Sequence, residues 1–460
     1  MIVKEIKFLD KDYLKKKIRE FINHKNILLF LNELGNFCLN SFLPNLAIIF
    51  FKTSFYLKKD IVIFSTLQQT ISLFSSPKNY THKKIKFHME KNVKSFYKKN
   101  KINKKKLLKK SKYNVGFLCH FFDNSTSGVL LKNLIYNLSN KFNFFFYSDQ
   151  IKDTVSKKTL MLKNFKNVRN LNNYDLKKLI NNDKIDVLIE CNGWSTENRF
   201  ELLLDRTSPI QVIYYNIAST SGVKNADYNI LSDFFEKSYI ENFSNEKIII
   251  SDGCIIPYKN SLDIEIDIDI KTNDTIVFCC FGAGHKLNLE LLETWSEILK
   301  KVPNSKLYIK NANLDIEDYK IVYKKTLSKF FNLDQIFLDG YSEYKKLLET
   351  YNKCHIHLDT FPHINGTTTI DASYMGLPTI TMIGERICSQ NNTILSFQDD
   401  RLIAKNKAEY IQKAIYLANN PDLITIYKRT LREKVFKRFQ PKNNAKNFEN
   451  TLQKIINYSL

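Results

Sequence analysis

Short apolar runs alternate with helix-patterned segments along two successive stretches of this 460-residue chain, residues 113–258 and residues 272–435. A parallel pair of strands needs a long crossover connection, which is usually a helix, so the alternation predicts parallel sheets covered by helices on both faces. We therefore predict an α/β fold in which two Rossmann-like domains face each other across a cleft. Open sheets of this class bind ligands at the carboxyl ends of their strands.

The segments outside these stretches complete a four-part organisation. Near the N-terminus, apolar residues such as Leu14, Ile18 and Phe21 recur at three- and four-residue spacing, which predicts helices. The predicted parts are a helical region with a basic linker (1–112), an N-terminal Rossmann-like domain (113–258), a C-terminal Rossmann-like domain (272–440) and a C-terminal helix that packs back onto the first of these domains (441–460).

The chain carries a formal net charge of +23, from 70 Lys and Arg residues against 47 Asp and Glu residues. Such a surplus is typical of nucleic-acid-binding proteins. However, Lys, Asn, Ile and Phe are all abundant, which indicates a general AT-rich codon bias, and much of the charge lies between Lys83 and Lys112, with Glu90 as the one acid. We predict a solvated helix or linker there and do not expect nucleic acid as a partner, while a basic nucleic-acid binder stays an alternative.

The cysteine pattern favours a reducing, cytoplasmic location. The eight cysteines show no paired framework and no Cys-x-x-Cys motif, so we expect buried, reduced thiols. No secretory signal is evident, and polar residues interrupt the apolar segment 26–51 before it reaches the roughly 20 residues of a membrane-spanning helix. His355 and His357 alternate on a strand without a third ligand, so we expect no metal site.

Residues 357–378 carry the strongest functional pattern. An apolar run that ends near Pro362 predicts the end of a strand, an Asn-Gly pair and three threonines form a loop, and Ile370 and Tyr374 begin a helical pattern. A helix start offers unpaired N–H groups and the positive end of a dipole, so it can hold a phosphate group. A plain helix cap is the alternative, because Thr is a common N-cap residue.

Five blocks of sequence match the motifs of one known family, in that family's order. The blocks are DVLIECNG (186–193), RTSPIQV (206–212), STSG with Asp-Tyr (219–222 and 227–228), FGAGHK with WSEILKKVPNS (281–286 and 295–305), and LDTFP with MGLPTITMIGE (358–362 and 375–385). Together they resemble the O-GlcNAc transferase family, which includes the plant SPINDLY proteins. The resemblance extends between residues 113 and 455.

The resemblance implies a glycosyltransferase of the GT-B type. It implies transfer of a sugar, GlcNAc or another hexose, from a nucleotide diphosphate donor, expected to be UDP-linked, to the side chain of a protein or peptide acceptor. The reaction would be inverting and independent of metal, with no cofactor beyond the nucleotide-sugar. Residues 113–258 would form the acceptor side, and residues 272–440 would bind the nucleotide-sugar.

The same resemblance assigns residues to the site. Lys286 matches the family lysine that neutralises the leaving diphosphate, where charge builds in the transition state. Asp371 matches a carboxylate that accepts ribose hydroxyls, with stabilisation of the helix dipole as its alternative role. Thr126 matches a threonine close to the sugar. The other residues predicted to bind the nucleotide-sugar are His363, Asn365, Gly366, Thr367, Thr368 and Thr369.

The general base is less specified by the sequence. A proton acceptor must lie within hydrogen-bond reach of the acceptor hydroxyl, and we select His120, with Asp123 and His363 as alternatives. His363 has two further readings, a contact with the uracil base or exposure to water.

Three family histidines are replaced in this chain. Their positions fall at Asn124, Trp194 and Leu347. These departures leave the identity of the sugar open. They also leave open a catalytically degenerate relative that binds a nucleotide-sugar or acts as a scaffold.

Overall fold

The computed structural model divides the chain into two compact units. The first unit comprises residues 1–79 and 261–437, and the second comprises residues 80–260 and 438–460. The residues that the structure describes are 2–77, 80–96, 105–120, 122–123, 125–150, 155–195, 198–214, 219–241, 244–259, 262, 264–267, 275–390 and 397–460.

The N-terminal region is helical, as predicted, and its first helices belong to the first unit. They bury aromatic rings against that unit. Phe37 stacks on Tyr319 with 5.7 Å between ring centroids, and Phe42 lies 4.5 Å from Tyr323. The helices are α1 (Ile2–Ile6), α2 (Lys11–His24), α3 (Ile27–Asn40), α4 (Pro44–Leu57) and α5 (Ile61–Gln69), and a π-helical turn (Thr70–Phe74) follows α5.

The second unit is built on a seven-stranded parallel sheet. Its strands are β1 (Asn114–Cys119), β2 (Asn143–Ser148), β3 (Phe165–Asn167), β4 (Val187–Glu190), β5 (Ile210–Tyr214), β6 (Tyr228–Leu231) and β7 (Lys247–Ile250). The helices of this part of the chain are α6 (His82–Phe96), α7 (Thr126–Ile135), α8 (Lys157–Leu160), α9 (Asn173–Asn182), α10 (Glu201–Leu204) and α11 (Lys237–Ile240). The strand order β3-β2-β1-β4-β5-β6-β7 reverses between β1 and β4, where Val115 pairs with Val187.

The predicted first part of the chain, residues 1–112, is thus divided between the two units. Helix α6 packs on the second unit through a close approach to Gly222. A Cβ atom at this glycine would lie 2.8 Å from the carbonyl carbon of Met89, and its φ is +74°. Glycine tolerates both conditions because it has no side chain. The apolar faces of α1–α5 and of α6 are therefore buried on different units.

The first unit repeats the same plan with six parallel strands. The strands are β8 (Val277–Cys280), β9 (Lys306–Lys310), β10 (Ile336–Asp339), β11 (Ile356–Leu358), β12 (Thr379–Met382) and β13 (Ile403–Ala404). The helices are α12 (Leu289–Lys301), α13 (Glu317–Leu327), α14 (Tyr344–Tyr351), α15 (Thr367–Tyr374), α16 (Lys407–Ala418) and α17 (Pro421–Arg438). The order β10-β9-β8-β11-β12-β13 reverses between β8 and β11. The predicted α/β class with two Rossmann-like sheets is confirmed.

The last helix, α18 (Pro441–Ser459), packs on the sheet of the second unit. Its Phe448 ring lies 5.9 Å from Phe117 of β1 and 4.7 Å from Tyr214 of β5. Leu452 and Ile455 are buried in the same core. Within the part of the chain that the structure describes, no helix combines the length and the apolar composition needed to cross a membrane.

Candidate functional site

The strand order of the first unit determines where its site lies. Strands β8 and β11 are neighbours at the point where the order reverses, and Ile356 pairs with Phe278 there. The loops that leave the carboxyl ends of two such strands diverge and leave a crevice, which is the usual ligand site of open α/β sheets. These loops carry most of the residues that the sequence predicts for the nucleotide-sugar.

Lys286 lies at the end of the loop after β8, in a short 3-10 turn (Gly284–Lys286). Its ammonium Nζ donates a hydrogen bond of 3.1 Å to the carbonyl oxygen of Ile364, in the loop after β11. Burial lowers the pKa of Lys286, while the carboxylate of Asp359 acts in the opposite direction. The two loops therefore share one half-buried cation.

Asp359 follows β11 directly and is fully buried. It accepts hydrogen bonds from the backbone N–H groups of Thr360 (2.9 Å) and Asn365 (2.7 Å) and from the Thr381 hydroxyl (2.6 Å). Burial raises the pKa of this carboxyl to about 6, although these donors and Lys286 stabilise its charged form. Asp359 thus fixes the course of the loop, and the sequence analysis quoted this residue without assigning it a role.

The glycine and threonine loop ends where α15 begins. Gly366 is the N-cap residue of this helix and offers no side-chain cap, so the interpretation of a threonine N-cap does not describe this turn. Thr367 and Thr368 are half-buried in the first turn, where N–H groups have no partner inside the helix. Such a turn attracts anions.

Two of the predicted residues in this loop mainly support its shape. The Thr369 hydroxyl is buried and donates to the carbonyl oxygen of Asn365 at 3.1 Å. The Asn365 side chain is fully buried, and its amide nitrogen lies 4.0 Å from the Cys280 sulfur. A Cβ atom at Gly282 would meet the Asn365 amide oxygen at 2.4 Å, so the glycine allows the two loops to approach closely.

Asp371 is 6% exposed and lies in the second turn of α15. Its Oδ1 atom accepts a hydrogen bond of 2.7 Å from the hydroxyl of Tyr344, the first residue of α14. Stabilisation of the first turn of a helix is therefore not the role of this carboxylate. The sequence analysis did not identify Tyr344, because a contact between two separate helices leaves no short spacing in the chain.

His363 is half-buried in the loop after β11, and its ring lies 5.4 Å from the ring of Phe74. Burial lowers its pKa well below the usual value, so the imidazole is neutral at physiological pH. Among the described residues its Nδ1 atom has no hydrogen-bond partner. His285, next to Lys286, lies 4.9 Å from the same phenylalanine.

The predicted residues of the second unit lie at the corresponding edge of its own sheet. His120 follows β1, and its backbone N–H donates to the Asn192 side-chain oxygen, after β4, at 2.6 Å. Asp123 accepts from the Ser125 N–H at 2.9 Å and from the Gln150 amide at 2.8 Å. Asp123 is therefore engaged in holding this loop.

Thr126 is the first residue of α7 and is exposed, while Ser125 caps the helix by accepting from the Gly128 N–H at 3.2 Å. The loop after β4 is held by Glu190, which is fully buried and accepts from the backbone N–H groups of Asn192 and Gly193. Burial raises the Glu190 pKa to about 8. Asn124 lies outside the described residues.

The two alternating histidines near β11 make structural contacts. Nδ1 of His355 accepts the Val277 N–H at 2.9 Å, and Nδ1 of His357 pairs with the Thr379 hydroxyl at 3.1 Å. Across the described ranges, no group of three His, Cys, Asp or Glu side chains is placed to hold a metal ion.

A family model described as Glycosyl transferase family 41 matches residues 76–250 and 268–452, which is more than half of the chain. The chain belongs to glycosyl transferase family 41. The predicted family is thereby confirmed. The two matched segments contain every predicted site residue, including those of both switch points.

The chain is also similar to known plant proteins, and one solved structure has the same fold. The probable UDP-N-acetylglucosamine–peptide N-acetylglucosaminyltransferase SPINDLY of Arabidopsis thaliana is 25% identical over 333 residues, which cover 68% of this chain. The protein SEC of the same plant is named as the same kind of probable transferase. It is 28% identical over 266 residues, which cover 55% of this chain. An O-GlcNAc transferase variant from Thermobaculum terrenum superposes with a TM-score of 0.83 at 17% identity, over 94% of this chain and 84% of that one.

The family 41 relatives are much longer proteins. The matched region covers 36% of the SPINDLY protein and 27% of SEC. The solved structure supports the fold alone, because its identity to this chain is low.

The hydrogen bond from Thr381 to Asp359 leads to a prediction about stability and pH. Thr381→Val removes one donor to the buried carboxylate, which should raise the Asp359 pKa further above its usual value. The raised pKa means that the folded state holds the ionised carboxylate less favourably than the unfolded state does. The variant should therefore lose more stability at a pH where Asp359 is ionised than at a pH where it is protonated. We expect a loss of about 1–3 kcal/mol in the free energy of unfolding at about pH 8, and a clearly smaller loss at about pH 5, measured by urea denaturation.

Thr379→Val is the matched control on the same strand. Its hydroxyl pairs with His357, and burial lowers the pKa of that histidine to about 3, so it is neutral at both pH values. The control should lose similar stability at both. An equal loss at both pH values for Thr381→Val would contradict the role given to Asp359.

Proposed function

We propose that the protein is an inverting glycosyltransferase that moves a sugar, GlcNAc or another hexose, from a UDP-linked donor to a protein side chain. The observation that carries the proposal is the hydrogen bond from Lys286 to Ile364, in the loop that leads into α15 at the β8–β11 switch point. Membership of family 41 and the transferase activities for which SPINDLY and SEC are named support the reaction class and the peptide acceptor.

The reaction breaks the bond between the sugar C1 atom and the diphosphate oxygen, so negative charge builds on the diphosphate. Lys286 supplies a positive charge that the Ile364 carbonyl holds in place. The N–H groups of Thr367 and Thr368 supply the positive end of the α15 dipole. Groups fixed before the reaction stabilise this charge more in the transition state than in the bound donor.

We assign the ribose of the donor to Asp371. A buried carboxylate can accept two ribose hydroxyls, and Asp371 is held by the Tyr344 hydroxyl in a fixed orientation. This assignment places the nucleoside toward α14 and the diphosphate at the start of α15. The base is expected to be uracil, because SPINDLY and SEC are named as UDP-N-acetylglucosamine transferases.

We propose that the reaction needs no metal ion and that His120 accepts the proton of the acceptor hydroxyl. The Lys286 ammonium supports metal independence, because its positive charge can stabilise the diphosphate as a metal ion does in other transferases. Support for His120 is its position at the β1–β4 switch point, beside the Asn192 side chain. Proteins with acidic, hydroxyl-bearing segments suit the basic surface as acceptors.

We further propose a cytoplasmic location. The eight cysteines are all buried and form no disulfide bond, and Cys279 and Cys280 lie within β8 as small apolar residues. Free buried thiols persist in a reducing compartment.

Lys286→Ala tests the role of the ammonium. Turnover of UDP-sugar should fall by about two to three orders of magnitude, because a fixed charge that acts in the transition state is lost. Radiolabel transfer and donor hydrolysis are the measurements. Lys300→Ala, which removes an exposed lysine of α12, is the matched control and should keep normal turnover. Normal turnover in Lys286→Ala would remove this lysine from the mechanism.

Asp371→Asn tests the ribose contact. The amide keeps an oxygen that can accept from Tyr344, so the fold is preserved while the charge is removed. Calorimetry should show about tenfold weaker binding of UDP and unchanged binding of pyrophosphate, which has no ribose. The exposed Asp422→Asn serves as control. Equal losses for UDP and pyrophosphate, or no loss for either, would contradict the assignment.

A further inference from the structure

The segment that links the N-terminal helices to the rest of the chain ends at the donor loops. Helix α5 changes into a π-helical turn (Thr70–Phe74), a rare geometry that is frequently found at functional sites. Phe74 is the last residue of this turn and is 7% exposed. The function proposed above gives this turn no role.

The Phe74 ring touches both donor loops of the first unit. Its centroid lies 4.9 Å from the His285 ring, at an interplanar angle of 62°, and 5.4 Å from the His363 ring, at 41°. His285 precedes Lys286, and His363 precedes Ile364, whose carbonyl oxygen accepts the Lys286 hydrogen bond. One aromatic ring is thus in contact with both neighbours of the diphosphate-binding cation.

The π-helical turn is also anchored to the loop after β12. Arg386 donates from Nη1 to the Ser75 carbonyl oxygen at 2.8 Å. The Cys388 sulfur lies 3.8 Å from the carbonyl oxygens of both Ser72 and Pro362, and the Cys388 carbonyl accepts the Ile364 N–H at 3.1 Å. The turn and the loop after β11 are therefore held by the same short segment.

A cavity of about 300 Å³ borders Phe74. Phe74 and Pro362 form part of its wall, and polar side chains line it as well, among them Glu5, Asn45 and Ser76. A cavity of this size with polar partners can hold water. Phe74 thus borders the cavity and also contacts both histidine rings.

We propose that Phe74 is a positioning residue of the donor site, whose ring fixes the His285 and His363 side chains beside Lys286 and shields them from water. This inference rests on the proposed function. Through Phe74 the N-terminal helices contribute to donor binding, a role that the sequence alone does not predict for them.

The charges around the two rings give the proposal its pH signature. Burial is the main cause that lowers the pKa of both histidines, to about 4 for His285, and the Lys286 ammonium adds to the effect. The other titratable groups that act on Lys286 are Asp359, Cys280 and Cys388. Both rings are therefore neutral at physiological pH, so Lys286 is the cation that meets the diphosphate.

Phe74→Ala should open the rings to water from the cavity. Their pKa values should then rise toward the usual value of about 6.5, so that the rings gain positive charge as the pH falls through that value. Two measurements follow this change. Histidine ring NMR, with signals assigned through His285→Gln and His363→Gln, reports the titration directly. Calorimetry with UDP-GlcNAc, between about pH 5 and pH 8, reports donor binding.

We expect that in the unmodified protein neither ring titrates above about pH 5, and that in Phe74→Ala at least one titrates near pH 6.5. Donor binding by the variant should be about three- to tenfold weaker at pH 8 and should strengthen relative to the unmodified protein as the pH falls. Phe55→Ala is the matched control, because Phe55 is a buried phenylalanine of α4 whose ring packs at a tilt against Phe64. It should lose stability without either effect.

Unchanged histidine titration in Phe74→Ala would overturn the inference even if donor binding falls, because the fall would then reflect general loosening. If the alanine variant does not fold, Phe74→Leu replaces it and should shift the same titrations by a smaller amount; no shift would again overturn the inference. Failure of the unmodified protein to bind UDP-GlcNAc would count against the proposed function. The histidine titration would then still decide the role of Phe74.

Discussion

The Asp359 carboxylate is the group on which the arrangement of the proposed donor site depends. It is fully buried at the end of β11, and the hydrogen bonds that it accepts determine how the chain turns from that strand into the loop before α15. It also supplies the negative charge that favours the protonated form of Lys286. A buried carboxylate is costly, and here its hydrogen bonds and the Lys286 charge offset part of that cost.

The strand order explains why these groups meet. Because the order reverses between β8 and β11, the loops after these strands diverge from neighbouring positions, and short backbone contacts are enough to join them. Close approach requires small residues, as at Gly282, where a side chain would meet Asn365. The second unit uses the same principle between β1 and β4, where the His120 backbone meets the Asn192 side chain.

Much of this arrangement could be predicted from the sequence, and the exceptions have physical reasons. The alternation of strands and helices predicts both sheets, and the strand, loop and helix pattern around Gly366 predicts the turn at which α15 begins. Tyr344 and Phe74 could not be predicted, because each acts through a tertiary contact with a distant segment. Such contacts leave no periodicity in the chain. Asp359 lies in the LDTFP block, where the sequence suggests a polar loop residue. The structure buries its carboxylate, which accepts the hydrogen bonds that hold the loop.

The three successive threonines of the loop have different positions in the fold, although the sequence predicts one role for all of them. Thr367 and Thr368 lie at the open start of α15, whereas Thr369 turns its hydroxyl toward the Asn365 carbonyl. Burial holds the pKa of His363 well below its usual value, which makes its imidazole a weak proton acceptor.

Calorimetric titration of the whole chain with UDP, in the presence of a metal chelator and beside GDP, tests the central claim most directly. The account predicts binding of UDP with a dissociation constant between about one micromolar and one millimolar, weaker binding of GDP, and no effect of the chelator. Absence of binding to either nucleotide would contradict the donor site built around Lys286 and α15. Binding that disappears with the chelator would contradict the role of the lysine as the cation of the site.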